Sequence, residues 1–91
     1  LQEFSGKGRK VPHPDPRAVF ASNLKCLRES SGLSQEELAD RAGLHRTYIS
    51  LIERCQRSVS LEVIFALAEA LGSKPEELLK PTKKKGNESG I

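Results

Sequence analysis

Apolar residues recur along this chain at helical spacing, and the runs they form end at glycines. Phe20, Leu24 and Leu27 fall at i, i+4 and i+7, which marks one face of a helix. Asp15 supplies a cap before them and Pro16 a first-turn proline, while Gly32 supplies a stop. Further on, Leu61, Ile64, Leu67, Ala68 and Leu71 form a second stripe, opened by Ser60 and closed by Gly72. A short last helix is expected to open with Pro75 and to bury Leu78 and Leu79.

Between these stripes lies SQEELADRAGLHRTYISLIERCQR, residues 34 to 57. Ser34 and Glu37 have the spacing of a capping box, in which each side chain accepts from the other's backbone N–H. Leu38 and Ala42 share one face, with Glu36, Asp40 and Arg41 turned to water. Gly43 ends that helix, because a residue without a Cβ enters the left-handed region at little cost. A new helix restarts near His45, with Leu44, Ile49, Ile52 and part of Tyr48 inward and Arg46, Thr47, Ser50 and Arg54 outward. Two helices this short need neighbours to clamp them. The chain is therefore expected to be all-α: a compact five-helix domain over residues 17–80, with a helix-turn-helix at its centre.

Composition narrows the function. Ninety-one residues with a formal charge of +3 leave no room for a separate catalytic domain. The basic excess, with a pI of about 9.1, suits a polyanionic partner. Glycine, proline and lysine mark residues 1–16 as a basic arm, and Lys83, Lys84 and Lys85 mark 81–91 as a basic tail. With no methionine present, Leu1 is expected not to be a translational start, and the chain to be trimmed or part of something longer. No apolar run approaches the ~20 residues of a membrane span, and no signal peptide is legible. A cytoplasmic location is expected, with Cys26 and Cys55 as reduced thiols. Neither cysteine has the spacing of a metal site. No nucleophile–base pair or glycine-rich phosphate loop is present, and His13 sits among prolines, so an enzyme, a metal and a cofactor are not expected.

The segment LSQEELADRAGL, its polar quartet and the following ISLIER resemble the lambda-repressor/Cro-type helix-turn-helix family over residues 17 to 79. RTYIS-x-IER, from Arg46 to Arg54, resembles more particularly the controller proteins of restriction–modification systems. The resemblance implies a regulator that binds double-stranded DNA as a homodimer through its fourth and fifth helices. It implies an Arg28–Glu53 ion pair between the first and third helices, structural in role. It also implies contact roles for Arg46, Thr47, Tyr48 and Ser50, and for Gln35 a phosphate contact that buttresses the third helix.

Chemistry supports several of these roles directly. Arg46 can meet guanine O6 and N7 bidentately, and Thr47 a thymine methyl or one hydrogen bond. Arg54 and Arg57 are placed for flanking phosphates. His45, where controller proteins carry an acidic residue, either caps the helix or touches a phosphate, and Leu51 either meets a thymine methyl or lies on solvent. Val63 and Phe65 fall off the fourth helix's core stripe and are expected to point outward into an isologous dimer interface. No small-molecule effector site is evident. A phage-type repressor or an antitoxin would share these features. A protein-interaction module using the Val63 and Phe65 surface is the alternative class.

Overall fold

The computed structural model of the chain describes residues 15–81, and among them every regular element is a helix. These are α1 (Pro16–Ser30), α2 (Gln35–Ala42), α3 (Arg46–Glu53), α4 (Leu61–Leu71) and α5 (Pro75–Leu79). The basic arm, with His13, and the lysine run at 83–85 lie outside the described residues.

Three of the five helices, α1, α2 and α4, begin where short polar side chains take up free N–H groups. Asp15 accepts from Arg17 N and Ser60 from Val63 N. Ser34 and Glu37 form the full capping box, with Glu37 N donating to Ser34 Oγ at 3.0 Å and Ser34 N to Glu37 Oε1 at 2.9 Å. The Glu37 carboxyl is accordingly held below its ordinary value, first by the backbone N–H of Ser34 and then by its hydroxyl.

One core unites the five helices. Leu24, Leu38, Ile49, Ile52, Leu67 and Leu78 are fully buried, so every helix contributes at least one side chain. Each stabilises the fold by roughly 1.5–3 kcal/mol relative to exposure. α1 packs on α3 and α5, α2 on α3 and α4, and α4 on α5. Buried Asn23 fastens the last helix, its amide donating to the carbonyls of Leu78 at 2.9 Å and Lys80 at 2.8 Å. Those carbonyls lie at the C-terminal end of α5, where the helix leaves acceptors unfilled.

The outer face of this core differs from the expected one at three leucine and valine positions. Leu61 is 70% exposed and Leu79 52% exposed, although both were expected inside. Val63, expected outside, is half-buried and packs on the core. Helical geometry explains the exchange: Val63 stands one turn from Leu67 on the inward side, whereas Leu61 stands one turn from Phe65, itself 59% exposed. Leu61 also sits in the first turn, and Leu79 follows buried Leu78 directly, so the helical turn between neighbours carries it off the inward face.

Candidate nucleic-acid interface

The turn between α2 and α3 sets the direction of the outward helix. Gly43 adopts φ 71°, and the Leu44 N–H bonds back to the Ala39 carbonyl at 2.8 Å. A Cβ at Gly43 would meet nothing within 4 Å, so glycine is required by the backbone angle and not by lack of space. Leu44 then packs on the core, and His45 opens α3 without a side-chain cap. The His45 side chain therefore does not cap the helix and is exposed.

α3 is divided cleanly by burial. Ile49 and Ile52 are inward, Arg46, Thr47 and Arg54 are exposed, and Ser50 and Leu51 are half-buried. Arg54 Nε donates to the Ser50 carbonyl at 3.4 Å. Tyr48 is half-buried, with its hydroxyl donating to the Ser58 carbonyl at 3.3 Å. The Arg57 guanidinium lies over its ring, 5.2 Å from the centroid, within cation–π range. Tyr48 thus ties the first turn of α3 to the loop that follows the helix and holds Arg57 alongside the outward face.

The far end of α3 is anchored by charge. Arg28 donates to Glu53 twice, from Nε at 2.7 Å and Nη2 at 3.0 Å, and through Nη1 to the Leu33 carbonyl at 2.8 Å. This two-pronged geometry is the strong form of the pair, and the hydrogen bonds to Glu53 raise the Arg28 pKa further. Gln35 adds a third donor, its Nε2 lying 3.0 Å from Glu53 Oε1. The expected ion pair is present. Gln35 serves as the buttress of α3 and has a second amide N–H left for an outside acceptor.

The outward face brings Arg46, Thr47, Ser50 and Arg54 together, with Arg57 beside it. The α4 residue Phe65 belongs to a different surface, and Val63 packs inward. A concavity of about 740 Å³ lies between α2 and the start of α3, where Glu36, Glu37 and Asp40 line it beside His45 and Arg46. Its three carboxylates repel phosphate on the α2 side. Among the described residues no group of His, Cys, Asp and Glu could hold a metal ion, and no helix is long and apolar enough to cross a membrane. Both cysteines are exposed and free.

A family described as helix-turn-helix matches residues 24–78, which span α2, the glycine turn, α3 and α4. The chain belongs to the helix-turn-helix family. Among its relatives, the control protein C.SmaI of Serratia marcescens is 43% identical over 65 residues, covering 71% of this chain and 77% of that protein. The control protein C.BamHI of Bacillus amyloliquefaciens is 48% identical over 64 residues, covering 69% and 79%. Among solved structures, the restriction–modification controller protein C.AhdI of Aeromonas hydrophila superposes with a TM-score of 0.67 at 48% identity, over 68% of this chain and 94% of that one. This helix-turn-helix protein is thus similar in sequence and shape to controller proteins, and the all-α expectation holds.

Sequence reasoning missed two positioning residues here. Asn23 looks like any polar residue of a helix until its partners 55 and 57 positions away are known. Cys55 occupies the left-handed position after α3, with φ 62°, and no glycine announces that stop.

Proposed function

We propose that this chain is a sequence-specific transcription regulator that binds double-stranded DNA as a homodimer, of the restriction–modification controller type. The observation that carries the reading is the outward face of α3. Arg46, Thr47 and Ser50 stand together on a helix whose only carboxylate, Glu53, is turned inward and neutralised by Arg28. Such a face presents donors to base edges while its cationic border meets phosphate. Arg46 reads guanine; Thr47 and Ser50 contact neighbouring bases; Arg54, Arg57, His45 and the spare N–H of Gln35 hold the backbone. Tyr48 acts chiefly through Arg57, because its hydroxyl hydrogen is engaged by Ser58.

Leu61, Phe65 and Leu79 are large apolar side chains left in water on two helices that pack together. Covering them is favourable, and a two-fold dimer through α4 and α5 does so. Val63, half-buried, stands at the edge of that contact rather than at its centre. Two copies of α3 would then lie about 34 Å apart, one turn of DNA, on a two-fold operator. Binding, not catalysis, is the activity, in the cytoplasm and without a small-molecule effector.

The test is selection of bound sequences from a random duplex library, read at two salt concentrations, with Arg46→Ala in parallel. The expected result is a two-fold motif that the variant fails to enrich. Salt-sensitive binding with no motif would instead favour a protein-interaction module or an antitoxin whose main surface is α4 and α5.

A further inference from the structure

Leu51 interrupts an otherwise polar face. It stands one helical turn after Thr47 on the outward side of α3, and it is half-exposed among Thr47, Ser50 and Arg54. The side chain is partly covered. Together with Leu44, Thr47, the Tyr48 ring and Arg57 it lines a cleft of about 370 Å³. The walls are two leucines, an aromatic ring and a threonine that carries a methyl group. Gly43 and the His45 imidazole complete the lining, no carboxylate is among it, and the Arg57 guanidinium is held over the Tyr48 ring at the rim.

We propose that this cleft is a methyl-reading site, taking the C5-methyl group of one thymine in each half-site, with Leu51 as the specificity-determining residue. The inference rests on the DNA-binding reading above and deepens it. Of the groups that base pairs present in the major groove, the thymine methyl is the apolar one; the others are hydrogen-bond donors and acceptors. An aliphatic cleft beside a base-reading arginine therefore prefers thymine without making a hydrogen bond. That methyl stands at the outer edge of the groove, near the backbone of its own strand. An aliphatic floor with a cationic rim meets both at once: Leu51 and Thr47 take the methyl, and Arg57 faces the adjacent phosphate. This charge match commits the cleft to a nucleic acid over a neutral apolar ligand.

The experiment replaces each thymine of the selected duplex in turn by uracil, which removes the methyl and keeps every hydrogen-bonding group. At one thymine per half-site, wild-type affinity is expected to fall about fourfold, the factor that burial of one methyl group supplies. Leu51→Ala, with its folding checked by thermal melting, is expected to bind the thymine and uracil duplexes alike at that position. Where that pair is changed to C·G, 5-methylation of the cytosine restores affinity to the wild type and not to Leu51→Ala. Indifference of the wild type to uracil at every thymine overturns the proposal, as does a full uracil penalty retained in Leu51→Ala. A motif without a uracil effect removes the methyl site alone; no motif, or unchanged binding by Arg46→Ala, removes the DNA-reading proposal and this one with it.

Discussion

Glu53 shows how much one side chain can carry when its partners come from two other helices. Its carboxylate receives two hydrogen bonds from Arg28 and one from Gln35, and its side chain is almost completely covered. Truncation to alanine strands the Arg28 guanidinium, which keeps only the Leu33 carbonyl and a distant Glu29 carboxylate 4.0 Å away. We expect Glu53→Ala to lose ~3 kcal/mol or more in urea unfolding, the cost of leaving a buried charge unpaired. A loss no larger than that of an exposed pair, under about 1 kcal/mol, would show that water reaches Arg28. The pair was legible only through family resemblance, since charge placement alone does not say which arginine meets which glutamate over 25 residues. Gln35 was legible in kind, yet its bond to Glu53 depends on how α2 and α3 cross, a tertiary fact.

At the scale of elements, capping and stopping signals account for most helix boundaries, because their physics is local. Asp15, Ser34 and Ser60 cap the helices they were expected to open, and Gly43 and Gly72 sit in left-handed conformation where those helices end. Cys55 takes the same conformation after α3 without being glycine. That stop was illegible because no glycine marks it: the turn is closed by the Cys55 N–H on the Ile52 carbonyl and the Gln56 N–H on the Leu51 carbonyl. The α2 capping box also yields a prediction with a definite sign. Glu37 titrates lower in the folded protein than its ordinary value of 4.5, so the folded state favours the ionised form. Its contribution is fully present above that value and is lost as pH falls through the lower folded one. Glu37→Gln keeps an acceptor for the Ser34 N–H but no longer titrates. We expect its melting temperature to fall less steeply than the wild type's as the solution is acidified below about pH 4.5. Parallel curves would mean that the box contributes nothing through its charge.

For the molecule as a whole, the question is what its largest exposed apolar groups are for. A periodic stripe defines the inward face of α4 well through Ile64, Leu67 and Ala68. It failed at Leu61 and Val63, because a stripe has an angle but no edge and its limits depend on where neighbouring helices stop covering it; in α5 the adjacent Leu79 turns out beside buried Leu78. The corrected surface centres on Leu61, Phe65 and Leu79. Phe65 is exposed in the single chain, so Phe65→Glu costs the monomer little, while two copies facing each other across a two-fold axis would bury like charges without partners. Sedimentation equilibrium is therefore expected to show a dimer for the wild type and a monomer for Phe65→Glu, with unchanged helical content. Because a dimer neutralises phosphates at both half-sites, the variant's affinity should also fall less steeply with salt, each lost contact flattening the slope by about 0.9. Equal salt slopes together with a persisting dimer would place the two-fold contact elsewhere and return Phe65 to the role of a solvent-exposed side chain. A monomeric variant with a shallower slope would tie dimer formation through α4 and α5 to the doubling of the α3 surface on DNA, the step by which a domain this small gains both affinity and a symmetric target.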